Sequence, residues 1–143
     1  MAEGARAGLI DGILETALYV DDLARAAAFY EGLLGMARLF GDARLIALDG
    51  GRRGVLLLFR RGTTLDIVTM PGGTIPPHDG HGPVHIALAV SRDALAEIEA
   101  RLAQADIAVE GRTNWPRGGE SIYVRDPDGH LVEFATPGLW ATY

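Results

Sequence analysis

SIYVRDPDGHLVEFAT, residues 121–136, reads as two strands joined by a tight turn. Ser121, Tyr123 and Arg125 alternate with apolar Ile122 and Val124, the period-2 pattern of a half-buried strand. Asp126-Pro127-Asp128-Gly129 has turn chemistry: Pro presets φ, the Asp side chains bond local backbone, and Gly accepts positive φ. The return strand sets Leu131, Glu133 and Ala135 on one face and Val132 and Phe134 on the other. A carboxylate in the middle of such a strand needs a reason. An unpaired buried carboxylate is costly enough to protonate or to recruit a cation, so Glu133 requires a partner elsewhere in the chain.

The bulk properties narrow the search. With 143 residues and 48% hydrophobic content, the chain can bury one good core or two small modules packed together. No apolar run approaches the ~20 residues that cross a bilayer, and the first residues, MAEGARAGLIDG, lack the apolar core of a secretion signal. A soluble cytoplasmic protein with no membrane partner is expected. The absence of cysteine excludes disulfides, thiolate metal sites and cysteine nucleophiles. A formal net charge of −6 without a basic block argues against nucleic acid as a partner.

Taken in order, residues 1–12 read as a loose arm and Ile13–Val20 as a strand carrying Glu15 near its start. Asp21 and Asp22 are N-cap candidates for a helix to about Leu34, with Leu23, Ala26, Ala27, Tyr30, Leu33 and Leu34 on one stripe and Gly35 as its stop. Strands are expected at Met36–Phe40, Arg44–Leu48 and Val55–Arg60. Residues 61–83, rich in Gly and Pro, form a long connection. The order then restarts: a strand at Val84–Val90, a helix capped by Ser91 with Leu95, Ile98, Leu102 and Ala105 on one stripe, a short strand at Ile107–Glu110, and the hairpin already described.

The two halves match at an offset of 70 residues, with Ala17 over Ala87, Leu18 over Leu88 and Val20 over Val90. Two βαβββ modules, residues 13–60 and 84–137, follow from the repeated order of elements, with a tail at 138–143. The same offset lays Glu15 over His85. Approximate two-fold symmetry between modules would bring their first strands together, so Glu15, His85 and Glu133 are expected to meet as an open site for a divalent metal.

With ETALYVDDLARAAAFYEGLLGM at 15–36, HIALAV at 85–90 and YVRDPDGHLVEF at 123–134, the chain resembles the vicinal oxygen chelate superfamily. That superfamily includes glyoxalase I, extradiol dioxygenases, fosfomycin-resistance thiol transferases and bleomycin-resistance proteins. The resemblance implies an α+β fold in which the two βαβββ modules form a cupped mixed β-sheet with helices outside, and a homodimer that can exchange modules. It implies a metal held at Glu15, His85 and Glu133. The first of these is usually His or Gln in the characterised enzymes. Two carboxylates with one imidazole favour harder ions, Mn, Fe or Mg, relative to Zn, with Ni also open. Glyoxalase I carries a further carboxylate where Leu57 stands in this chain, which disfavours that activity. The extradiol enzymes place a tyrosine where Tyr123 falls.

The remaining site candidates surround the hairpin. Tyr123 is assigned hydrogen bonding to a substrate oxyanion or proton transfer, and Glu133 is counted with it as catalytic. Ser121, Arg117 and Arg125 are assigned substrate contact, the two arginines toward an anionic group, and Trp115 a wall for an aromatic one. The competing structural reading pairs Glu133 with Arg125 or Arg117. His78, His81 and His130 are expected to be structural or exposed. Function is therefore expected to be that of a metal-dependent lyase, isomerase or dioxygenase acting on a small substrate with two vicinal oxygens. The alternative is a metal-free dimer that sequesters a small molecule.

Overall fold

Strand β1 (Glu15–Val20) alternates as its sequence demands: Leu18 and Val20 are fully buried, while Glu15 begins the strand in solvent. The computed structural model describes residues 8–143, so the first seven residues of the expected arm lie outside the described residues. Asp22 caps α1 (Leu23–Ala27) by accepting from the Arg25 amide at 3.1 Å. The helix then widens into a π-helical turn (Ala28–Leu33), closed by the Leu34 amide on the Phe29 carbonyl. In this wider turn the consecutive Phe29 and Tyr30 are both buried.

The first half continues through β2 (Arg38–Gly41), β3 (Leu45–Gly51) and β4 (Gly54–Arg60). These strands assemble into a mixed sheet of order β1-β4-β3-β2, with β1 parallel to β4. The second half repeats the plan with β7 (His85–Ala89), α2 (Arg92–Gln104), β8 (Gly111–Asn114), β9 (Glu120–Arg125) and β10 (Leu131–Ala135). Its order is β7-β10-β9-β8, again with the first strand parallel to the last. The duplicated α+β architecture expected from the 70-residue offset is therefore present. Each half contributes its own four-stranded mixed sheet, and among the described residues no backbone pairing joins the two. One apolar core unites them instead, combining Leu18, Tyr30, Leu58, Leu102, Val124 and Phe134 among others.

Element boundaries depart from expectation in two places. The second strand of each half begins later than expected, at Arg38 and at Gly111 instead of Met36 and Ile107. In the second half the reason is the end of α2. Asp106 takes a left-handed φ of 55°, its amide bonds the Ala103 carbonyl, and the Ile107 amide bonds the Leu102 carbonyl. This Schellman closure holds residues 106–107 against the helix. The connection at 61–83 also has structure of its own: β5 (Val68–Met70) and β6 (Gly73–Ile75) form a hairpin.

That connection is pinned to the first sheet. Arg61 donates to Asp21 Oδ1 at 2.9 Å, to the Tyr19 carbonyl at 2.9 Å and to the Gly80 carbonyl at 3.0 Å. The Tyr19 hydroxyl and His78 Nδ1 share a hydrogen bond of 2.5 Å, and His78 is further tied to Thr64 through its amide and carbonyl. Burial, followed by the nearby Asp79 charge, pushes the Tyr19 phenol above its ordinary pKa.

The DPDGH turn is a clasp between the halves. Asp126 accepts the Tyr30 hydroxyl at 2.7 Å and the amides of Asp128 and His130 at 2.9 Å each. Asp128 accepts the Asp21 amide at 2.9 Å and pairs with Arg25 at 3.2 Å. His130 is enclosed, its Nδ1 accepting from the Val84 amide at 3.0 Å and its Nε2–H donating to the Tyr19 carbonyl at 2.8 Å. It ties the start of β7 to the end of β1.

Candidate metal centre

Strand parity decides which side chains meet. In the second sheet Ile122, Val124, Val132 and Phe134 face the common core, so Ser121, Tyr123, Glu133 and His85 fall on the opposite face. Register then sets the neighbours: Glu133 lies opposite Tyr123 on β9 and opposite Ala87 on β7, while His85 lies opposite Leu131. Glu133 is buried although its face is turned away from the core, 5% exposed against a half-exposed His85 side chain.

The carboxylate is held at both oxygens. Ser121, fully buried, donates its hydroxyl to Glu133 Oε2 at 2.5 Å, and the indole N–H of Trp115 donates to Ser121 Oγ at 2.8 Å. Oε1 stands 3.2 Å from His85 Nε2. The other imidazole nitrogen, Nδ1, lies 2.9 Å from the Leu131 carbonyl. A carbonyl only accepts, so Nδ1 carries a proton and donates it. A neutral His85 then presents the lone pair of Nε2 to a carboxylate oxygen. Two acceptors at that distance call for a proton or a cation between them, and an imidazole oriented through Nδ1–H toward a backbone carbonyl is the usual posture of a metal ligand. On this geometry the pair supplies two ligands for a divalent ion, with a third needed from elsewhere.

Glu15 is not part of the same cluster. Among the described residues no three His, Asp or Glu side chains gather closely enough to hold an ion. Glu15 is exposed at the start of β1, in register with Val55, and borders a cavity of about 270 Å³ also lined by Leu14, Thr16, Ile86 and Ala87. The expectation that Glu15, His85 and Glu133 meet is therefore corrected for one chain, which brings two of the three together. The reason is topological. The clasp fixes β7 against the far end of β1, at Tyr19 and Val84, while Glu15 occupies the near end.

The other candidates named from the residues divide clearly by what they touch. Tyr123 stands beside the pair, its ring 6.4 Å from that of His85, and its hydroxyl forms no hydrogen bond within the described residues. Ser121 is enclosed behind Glu133 rather than free for a substrate. Arg125 is committed to Glu110 through two hydrogen bonds, at 2.9 and 3.2 Å, and donates to the Gly129 carbonyl. That pairing raises the Arg125 pKa and holds the exposed Glu110 carboxyl below its usual range. Arg117 is exposed and in no ion pair among the described residues. Leu57 lies in register with Ala17 and Ala47 in the first sheet, so no carboxylate stands there. Sequence reasoning missed the hydrogen-bond chain behind Glu133; the alternation of Ser121 with Ile122 on the strand opposite was the available signal.

The profile of the glyoxalase/bleomycin resistance protein/dioxygenase superfamily matches residues 12–134, and the chain belongs to that superfamily. It is similar to the crystal structure of a lactoylglutathione lyase from Agrobacterium tumefaciens, with 32% identity and a TM-score of 0.83 over 94% of this chain and 99% of that one. It is 30% identical over 122 residues to the metallothiol transferase FosB of Lysinibacillus sphaericus (strain C3-41), covering 84% of this chain and 78% of that protein. The structure of oxidase ChaP-H2, at 19% identity and a TM-score of 0.64 over 90% of this chain and 94% of that one, shows the shared fold. No helix among the described residues is long and apolar enough to cross a membrane.

Proposed function

We propose that the chain is a metal-dependent enzyme whose centre is completed between two copies. His85 and Glu133 of one subunit would hold the ion together with Glu15 of the partner subunit. The carrying observation is the approach of His85 Nε2 to Glu133 Oε1 with Nδ1 already committed to Leu131. When bound, a divalent ion supplies stabilisation of negative charge on a substrate oxygen. The chain's own residues then orient the substrate. Tyr123, unbonded and adjacent, is placed to donate a proton or hydrogen bond to that oxygen. The exposed Arg117 guanidinium, in no ion pair among the described residues, would engage an anionic group of that substrate.

A substrate that engages through two adjacent oxygens suits an ion with three protein ligands and open positions. The names of two relatives are those of a lyase and a thiol transferase. Leu57 separates this centre from one with a fourth protein carboxylate at that position. Completion by a second copy is supported by the surface around Glu15. Leu9, Ile10, Ile13 and Leu14, immediately before it, are all exposed large apolar side chains, a patch that a partner would cover.

The test is metal content after exposure to Mn²⁺ and desalting. Wild type is expected to retain the ion, and Glu15→Ala and His85→Ala each to lose it. Mixing the two unfolded variants and refolding them together regenerates one intact site in every mixed pair, so metal retention returns. Full retention by Glu15→Ala alone sinks the two-copy centre. A wild type that retains no Mn²⁺, Co²⁺, Ni²⁺ or Zn²⁺ favours instead a metal-free sequestering dimer, in which His85 and Glu133 form an ordinary ion pair.

A further inference from the structure

We propose that Trp115 is a positioning residue for the metal-binding carboxylate, acting through Ser121. This deepens the metal-enzyme reading and rests on it. The direction of the chain of hydrogen bonds is fixed by chemistry alone. An indole N–H only donates, so Ser121 Oγ must accept from Trp115 Nε1 at 2.8 Å. A hydroxyl has one proton. With a lone pair occupied by the indole, that proton goes to Glu133 Oε2 at 2.5 Å. Ser121 is fully buried and Glu133 nearly so, so water does not compete for either bond.

Three consequences follow for Glu133. Its Oε2 is occupied by a donor, so it is held as an acceptor. Its Oε1 is left as the oxygen that faces His85. Its rotation about the last side-chain bond is blocked by a partner that cannot itself turn, because the Ser121 hydroxyl is held from behind by the indole. Trp115 is itself fixed: its amide bonds the Gly119 carbonyl at 2.8 Å and its carbonyl accepts the Gly118 amide at 2.9 Å, closing the turn that leads into β9. The indole therefore serves as a stop for the carboxylate rather than as a wall for substrate. Outer partners of this kind set ligand orientation and hence metal affinity.

The experiment is a double-mutant cycle on Mn²⁺ affinity, read by the electron paramagnetic resonance signal of free Mn²⁺ with the dimeric protein. Ser121→Ala is expected to weaken binding by roughly 10–100-fold, and Trp115→Phe, which keeps an aromatic ring and removes the N–H, by a smaller but measurable factor. Because Trp115 acts only through Ser121, the double variant should bind no more weakly than Ser121→Ala alone. A merely structural tryptophan predicts additive losses instead. Mn²⁺ bound equally by wild type and Trp115→Phe, or additivity in the double variant, overturns the proposal while leaving the metal centre standing. Absence of Mn²⁺ binding by wild type, together with no retention of Co²⁺, Ni²⁺ or Zn²⁺, overturns both. Should Ser121→Ala fail to fold, Trp115→Phe decides alone through a second readout. The Mn²⁺ coordination spectrum of the bound ion should broaden in the variant, and an unchanged spectrum with unchanged affinity counts against the proposal.

Discussion

His85 donates its Nδ1–H to the carbonyl of Leu131, its register partner on the neighbouring strand, at 2.9 Å. A main-chain acceptor cannot be removed by a side-chain change, so the imidazole's orientation is written into the pairing of β7 with β10. In metal-loaded protein, nitrogen NMR of His85 should show a protonated Nδ1 and a metal-shifted Nε2. A proton on Nε2 with metal at Nδ1 would contradict this geometry.

The clasp between halves should be visible in stability. Tyr30 is fully enclosed and its hydroxyl bonds the Asp126 carboxylate. Tyr30→Phe keeps the ring but leaves a buried carboxylate oxygen short of a donor, and should cost about 1.5–3 kcal/mol in urea unfolding. A loss within error of zero would show that water replaces the phenol.

The same residue sets an alkaline limit. Burial first, then the charge of Asp126 and the hydrogen bond to it, push the Tyr30 phenol far above its ordinary pKa, and Asp128 adds to this. A group whose pKa is raised on folding contributes stability that is complete below its unfolded pKa and declines as pH climbs above that value. Stability should therefore fall from about pH 10 upward, and less steeply in Tyr30→Phe. In an absorbance titration Tyr30 should ionise only as the chain unfolds.

The β3–β4 turn stores strain. Arg52 and Arg53 follow Gly51 with φ of 52° and 63°, in a region L-residues avoid. The Arg52 guanidinium lies 5.0 Å from the Tyr143 ring, a contact that offsets part of its strain. Arg53 is in no ion pair or ring contact within the described residues, so Arg53→Gly should raise stability by up to about 1 kcal/mol, measured by thermal or urea melting. Destabilisation would mean that Arg53 makes a contact outside a single chain.

Arg61 ties the long connection to the end of β1, bonding the Gly80 carbonyl on one side and Asp21 and the Tyr19 carbonyl on the other. Arg61→Ala should speed amide exchange across residues 76–83 while leaving β9 and β10 protected. Equal protection in the variant would mean that the Tyr19–His78 and Thr64–His78 bonds suffice.

Much of this architecture is legible in the residues. Period-2 alternation with a turn at DPDG yields β9 and β10, and the 70-residue offset yields two copies of one module, because both signals are local. Parity likewise puts Glu133, Tyr123 and Ser121 on one face. What alternation does not encode is how one sheet sits against the other. Glu15 and His85 occupy equivalent positions, yet the link from His130 to Tyr19 and Val84 holds the opposite end of β1 beside β7. His130 looks like any turn residue in the sequence; its enclosure comes from partners 111 and 46 positions away. Arg125 has the alternation of a substrate contact, but Glu110 on the approach to β8 neutralises it. The π-helical turn has no local sequence mark that separates it from an ordinary helix.

The clasp also has a consequence for biosynthesis. Its bonds between the halves join residues 96, 107 and 111 positions apart, so they close only after the chain has been made through the DPDGH turn. Until then the first module's helix has no acceptor for Tyr30 and shares no core with its sister. The final hairpin is therefore the last piece to be made and the one that locks the two modules onto each other.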